Sequence, residues 1–150
     1  GLSVLLTLRT DHLSSHAGQI AFPGGRAEEL DSSPIETALR ESEEEIGLHR
    51  RHISIVGVLP DYVTGSAYRV APVVALVKPP FALTADPGEV AEIFEVPLVF
   101  LMNGMHHQRM SVELPDREGK RSFYAMPYER FFIWGATAGM LRNLFHFLRA

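Results

Sequence analysis

The stretch Ser33-Pro34-Ile35-Glu36-Thr37-Ala38-Leu39-Arg40-Glu41-Ser42-Glu43-Glu44-Glu45-Ile46-Gly47-Leu48 carries its own start and stop signals. Ser33 stands at an N-cap, Pro34 at the first helical position and Glu36 three residues after the cap, the pattern of a capping box with a preorganised first turn. Gly47 supplies the left-handed residue that commonly closes a helix. These signals predict a helix over 34–46. Residues advance about 100° around such a helix, so with Glu41 at the origin Glu45 lies about 40° to one side and Glu44 about 60° to the other. Glu43 falls about 160° away and leaves that face. Ile35, Leu39 and Ile46 occupy a different side, where they can pack on a sheet.

The acidic face is electrostatically unfavourable. Like charges three and four apart repel by a few tenths of a kcal/mol per pair, on the order of 0.2–0.5. Glu44 and Glu45 also sit in the last turn, where the macrodipole already presents negative charge. Only Arg40 interleaves a positive charge. A divalent cation relieves both penalties, and carboxylates are hard oxygen donors suited to Mg²⁺ or Mn²⁺. A screened, solvated helix face is the alternative reading.

Moving outward, 4–8 reads as a short apolar strand, 10–18 as a polar loop and 19–22 as an extended piece ending at the turn Pro23-Gly24-Gly25. The segment 26–32 is a polar loop. Apolar alternation over 53–59 predicts a strand, and 70–77 reads as one buried strand stopped by Lys78-Pro79-Pro80. The segment 81–88 is a loop, 89–95 is ambiguous and 97–102 suits a short helix. The segments 106–114 and 122–126 pair as a hairpin around 115–119. Helical spacing of Trp134, Met140, Leu141, Leu144, Phe145 and Leu148 predicts a long helix over 132–148, with Phe132 and Trp134 as core residues rather than a ligand platform. Short strands flanked by two helices point to an α/β layered domain.

Composition narrows the function. The 150 residues fit one domain, 1–150, with 46% hydrophobic and 21% charged residues. A net charge of −4 argues against nucleic acid as a partner, although 14 Lys and Arg residues leave room for a small anionic ligand. With no cysteine, disulfides, thiolate metal sites and cysteine nucleophiles are excluded. Seven histidines are scattered, and the adjacent pair His106-His107 reads as exposed polar surface. No segment reaches the roughly 18 uninterrupted apolar residues of a membrane span. The opening residues lack a basic region and a cleavage signal, so no secretory leader is expected and a cytoplasmic protein is the default. The chain opens inside a strand without an initiator methionine, so upstream residues are expected to be missing.

Gly25 followed by Arg40-Glu41-Ser42-Glu43-Glu44-Glu45-Ile46-Gly47-Leu48 resembles the Nudix box, a glycine followed by an Arg-Glu-x-x-Glu-Glu-x-Gly signature. Two features depart from it: Ser42 stands at a usually aliphatic position, and the spacing from Gly25 to Arg40 is one residue longer. No glutamate occupies the usual mid-loop position unambiguously. The longer loop, with Leu5-Leu6-Thr7-Leu8-Arg9 and the run from Leu13 through His16 and Gln19 to Phe22-Pro23-Gly24-Gly25, resembles the coenzyme A pyrophosphatase subfamily. Similarity extends to 89–98 and 132–138, nearly the whole chain.

That resemblance implies a Nudix-type α/β/α sandwich with a mixed β-sheet and divalent-metal-dependent hydrolysis. It implies Glu41 and Glu45 as main metal ligands, Glu44 as a nearby helper, and a backbone carbonyl of Gly24 or Gly25 completing the coordination of Mg²⁺ or Mn²⁺. Arg40 would orient a glutamate, with a helix-surface pair to Glu36 or Glu44 as the alternative. Glu89 fits the general base better than Glu92, a surface-loop carboxylate being the alternative for either. Arg9, His16 and Gln19 are expected at the substrate or the metal loop, and for His16 a structural loop histidine is the alternative. The expected substrate is coenzyme A or a related nucleotide, cleaved to 3′,5′-ADP and 4′-phosphopantetheine. The competing functions are a Nudix hydrolase of ADP-ribose or a damaged dNTP, and a non-catalytic Nudix-like ligand sensor, which would be expected to lose the box carboxylates.

Overall fold

The computed structural model describes residues 1–13, 17–65, 67–79, 81–113 and 119–150. Its contacts divide into two compact units, Leu5–Phe94 and Gly1–Val4 with Glu95–Ala150.

β1 (Ser3–Arg9), whose residues from Leu5 onward belong to the first unit, pairs antiparallel with β2 (Ile20–Ala21), with Thr7 opposite Ala21 and Leu8 opposite Ile20. Thr7 is fully buried, and its hydroxyl donates to the Ala21 carbonyl at 3.2 Å, which removes the cost of burying it. α1 (Pro34–Ile46) has the bounds its sequence predicts. Ser33 Oγ accepts from the Glu36 N–H at 3.2 Å, and Gly47 takes φ 67°. Only half of the capping box forms, because both Glu36 carboxylate oxygens accept from Arg50 Nη2 at 2.8 Å.

β3 (Ile53–Val58), β4 (Tyr62–Val63), β5 (Arg69–Val70) and β6 (Val73–Val77) form two antiparallel ribbons, β3 with β6 and β4 with β5. The expected continuous strand over 70–77 is therefore two strands. Pro72 interrupts it: its ring has no N–H for a ladder, while its carbonyl accepts from the Leu59 N–H at 2.9 Å. β7 (Val90–Pro97) resolves the ambiguous 89–95 as a strand and completes the order β2-β1-β7. The core gathers Ile46, Leu48 and Val90 with Leu5, Ile53, Val77 and Ile93 packed around them. Burying a side chain such as Ile46 contributes about 1.5–3 kcal/mol, enough to fix which way α1 faces.

In the second unit the Leu98 N–H donates to Leu2 O at 2.9 Å and opens α2 (Leu98–Leu101). β8 (Gln108–Glu113) and β9 (Lys120–Ala125) form the expected hairpin, and α3 (Gly135–Arg149) lies against β9 with Arg142 over the Tyr124 ring at 4.5 Å. Met140, Leu141 and Phe145 are its buried face. The predicted start of this helix at 132 and the core placement of Phe132 and Trp134 are both corrected. Trp134 is extended and bridges Ala125, Gly135 has φ 65°, and the two aromatics are 44% and 38% exposed.

His106-His107 is also corrected. Both rings are half-buried and hydrogen-bonded to carbonyls of α2, His106 Nδ1 to Phe100 O at 2.8 Å and His107 Nε2 to Leu101 O at 2.6 Å. Carbonyls at a helix end lack intrahelical partners, and the histidines supply donors for two of them. No helix among the described residues is long and apolar enough to cross a membrane.

Candidate metal centre

Three carboxylates converge in the first unit. Glu41, Glu45 and Glu89 each bring one oxygen to within 4.8 Å of the other two. Helical spacing places Glu41 and Glu45 one turn apart on α1. Glu89 arrives from the far side of the sequence through backbone bonds. The unpaired carbonyls at the end of α1 accept from the following segment, Glu45 O from the Asp86 N–H at 2.8 Å and Ile46 O from the Thr84 N–H at 2.9 Å. The chain then turns, with Glu89 N–H donating to Asp86 O at 3.1 Å and Glu89 O accepting from the Thr10 N–H at 3.0 Å. Glu89 is thereby fixed between α1 and the end of β1.

The turn after β2 closes the site. The Gly24 N–H donates to Glu45 Oε2 at 3.0 Å. A Cβ on Gly25 would stand 2.7 Å from Glu41 Cδ and within 2.9 Å of both its oxygens, so only glycine lets the backbone come this near the carboxylate.

Arg40 is the hub beside it. Its Nε and Nη2 donate to the two oxygens of Asp31 at 3.1 and 2.9 Å, and Nη2 also donates to Arg26 O at 3.0 Å. Its Nη1 donates to Glu41 Oε1 at 3.0 Å and to Glu44 Oε2 at 3.2 Å, with Glu28 Oε1 at 3.3 Å. Asp31 also accepts from Thr37 Oγ1 at 3.0 Å and from the Glu28 N–H at 2.8 Å. The Arg40 guanidinium, with the Glu28 N–H, holds the Asp31 carboxyl well below the usual carboxylate range, and Asp31 in turn raises Arg40. Sequence reasoning missed Asp31. The available signal was an acid in the loop before the N-cap, in reach of the one cation on the acidic face.

Glu45 is the most demanding member, with only 2% of its surface exposed. Burial pushes its carboxyl up to about 7 against the Gly24 hydrogen bond, and the charges of Glu41 and Glu89 add to the rise. Arg9 acts in the opposite sense. Burial also raises Glu41, partly offset by its bond to Arg40. A cluster of like charges, partly desolvated and made of hard oxygens, fits a divalent cation of the Mg²⁺ or Mn²⁺ class.

The remaining expected residues fall around this centre unequally. Glu44 is exposed, bonded to Arg40 and outside the group of three, and Glu43 is exposed. Arg9 is half-buried, with Nε shielded from solvent and lacking a hydrogen-bond partner. Its backbone N–H donates to Gln19 O at 2.9 Å, which sets the half-buried Gln19 beside the end of β1. His16 lies outside the described residues. Glu92 lies within β7, one strand residue pair beyond Val90, and is not part of the group of three.

Residues 1–115 match the NUDIX domain family. The chain is similar to proteins described as the uncharacterized Nudix hydrolase NudL in Escherichia coli O7:K1 strain IAI39 and in Escherichia coli strain K12. Each is 39% identical over 142 residues, covering 94% of this chain and 72% of the relative. In fold it is similar to the crystal structure of the M. smegmatis Nudix hydrolase RenU, with a TM-score of 0.53 and 23% identity over 65% of this chain and 61% of that one.

Proposed function

This chain belongs to the Nudix family of pyrophosphohydrolases, and from that premise we propose that it cleaves the pyrophosphate bond of coenzyme A or a coenzyme A derivative. The products are 3′,5′-ADP and 4′-phosphopantetheine. The observation that carries the reading is the convergence of Glu41, Glu45 and Glu89. Nudix enzymes use divalent metals. Glu41 and Glu45 would hold the ion together with a backbone carbonyl of Gly24 or Gly25. Such an ion neutralises phosphoryl oxygens and lowers the pKa of an attacking water.

The protein's own part is positioning and charge control, because phosphoryl transfer asks little covalent chemistry of it. Glu89 is the carboxylate that takes the proton of the attacking water, within reach of both ligands. Arg40 fixes the rotamer of Glu41 and holds Glu44 at the rim, so Glu44 acts through this network. Arg9 and Gln19 would contact the substrate, a role supported by Arg9 closing β1 and by its backbone bond to Gln19 just before β2. The choice of coenzyme A rests on the loop one residue longer than the common box and on the run from Leu5 to Gly25.

The test is incubation with coenzyme A, ADP-ribose and dNTPs, with and without Mg²⁺ or Mn²⁺, followed by product identification. Metal-dependent release of 3′,5′-ADP and 4′-phosphopantetheine is expected. Turnover of ADP-ribose without cleavage of coenzyme A would move the substrate elsewhere in the family, and hydrolysis of nothing would favour a ligand sensor. Glu45→Gln should abolish turnover with the fold retained.

A further inference from the structure

β8 reads Gln108-Arg109-Met110-Ser111-Val112-Glu113, and all six residues are exposed. Among the described residues it pairs with β9 alone, so its other edge presents unpaired backbone groups. A two-stranded ribbon gains stability from a third strand or a covering element. α3 covers the face that carries Tyr124, where Arg142 stacks on its ring. The opposite face carries Met110 and Val112, 39% and 48% exposed, beside Phe123, whose ring meets Trp134 edge-on at 5.4 Å.

The sequence of this strand is complementary to itself. Laid antiparallel on a second copy with Ser111 opposite Ser111, it sets Arg109 against Glu113 and Met110 against Val112, each twice. Cross-strand pairs of opposite charge stabilise a sheet, whereas like charges oppose it. Shifting the register by two residues removes both Arg–Glu pairs. Shifting by one puts opposite faces of the pleat together. We infer that β8 docks antiparallel on β8 of a second copy of this chain, forming a four-stranded β9-β8-β8-β9 sheet about a two-fold axis at Ser111. Each interface patch then meets itself, as a two-fold dimer requires. Met110 and Val112 of both copies fall on one face and extend the Phe123–Trp134 cluster into a continuous apolar row. Arg109 and Glu113 flank the apolar pair, so a strand of other sequence meets charges it does not match.

Sedimentation velocity on the intact chain tests this. The unmodified protein should show a concentration-dependent monomer–dimer equilibrium. Arg109→Glu should weaken the dimer about tenfold by converting both attractive pairs into repulsive ones. Adding Glu113→Arg to that variant should restore it. Because the chain has no cysteine, Ser111→Cys gives a clean second readout. Directly opposite positions bring Cβ atoms about 4.5–5.5 Å apart, near disulfide range, and mild oxidation should yield a covalent dimer. A protein that stays monomeric at every concentration overturns the inference. So does a dimer that is indifferent to Arg109→Glu and fails to cross-link through position 111.

Discussion

Arg40 grips Asp31 through two donors, Nε at 3.1 Å and Nη2 at 2.9 Å, and the same guanidinium reaches Glu41 at 3.0 Å. A bidentate pair fixes the plane of the guanidinium as well as its distance. Asp31 therefore determines where Nη1 points, and Nη1 determines the rotamer of Glu41. Asp31→Asn removes the charge and one acceptor while keeping the shape. Groups bonded directly to a metal ligand typically cost about 10–100-fold in activity or metal affinity when changed. Asp31 acts one step further out, through Arg40 on the proposed ligand Glu41, so the lower end of that range, about tenfold, is expected. A fall of that size in kcat and in Mn²⁺ affinity, with KM little altered and Asp31→Glu recovering part of it, is the expected pattern. Unchanged kcat in Asp31→Asn would separate Arg40 from the chemistry.

Gly25→Ala probes the same carboxylate from the other side. The added Cβ would lie 2.7 Å from Glu41 Cδ, closer than real contacts allow. The atom in the way is the end of a flexible side chain, so the fold yields easily and the carboxylate turns aside. The variant should melt near the parent temperature yet lose about tenfold or more in activity, since ligand geometry tolerates little displacement. Excess Mn²⁺ should recover part of that loss. A large drop in melting temperature would instead place Gly25 in the fold's stability.

Glu45 ties stability to pH in a direction opposite to that of most carboxylates. Its carboxyl rises from 4.5 to about 7 because burial disfavours the charged form. A raised pKa means that the folded state holds the proton more tightly than the unfolded one. The contribution to stability is then fully present below pH 4.5 and is lost as pH rises through about 7. Measured against Glu45→Gln, metal-free protein should lose melting temperature across that window, and Mn²⁺ should raise it more at pH 8 than at pH 6, where binding must first displace the Glu45 proton. Glu45→Gln keeps an acceptor for the Gly24 N–H without the charge. It should flatten the pH dependence and abolish the Mn²⁺ shift, both readable by calorimetry.

The parts of this protein written locally in the sequence are the parts that were legible. α1 keeps its predicted bounds because Ser33, Pro34 and Gly47 act within a turn of where they stand. Glu41 and Glu45 share a face because helical geometry leaves no choice. Glu44 shares it too, yet hydrogen bonding to Arg40 holds it at the exposed rim, and spacing alone cannot weigh that competition. Asp31 reaches Arg40 only because the loop over 26–32 folds back. The backbone bonds of 84–89 to α1 and Thr10 place Glu89, and no periodicity records them. Apolar spacing over 132–148 predicted too long a helix because period counts are blind to Gly135 at φ 65° and to the pairing of Trp134 with Ala125.

His107 offers a last test, in the second unit. Arg142 Nη1 lies 3.1 Å from His107 Nδ1, and a guanidinium only donates, so Nδ1 accepts. The proton therefore sits on Nε2 and is donated to Leu101 O. Burial lowers the His107 pKa below its ordinary 6.5, the Leu101 carbonyl works against that, and Arg142, His146 and His106 add to the lowering. A histidine kept neutral in the fold but free to protonate when unfolded contributes stability above pH 6.5 that is lost as pH falls below it. Measured against a His107→Phe variant, so that other titrating groups cancel, melting temperature at constant ionic strength should therefore drop between pH 7 and pH 5.5. His107→Phe keeps a ring against Phe145 but removes both hydrogen bonds, leaving the Leu101 carbonyl without this donor. An orphaned buried carbonyl costs about 1–3 kcal/mol, so the variant should be less stable at neutral pH and lose this acid-sensitive step. If His107→Phe keeps the full drop below pH 6.5, the acid sensitivity belongs to another group.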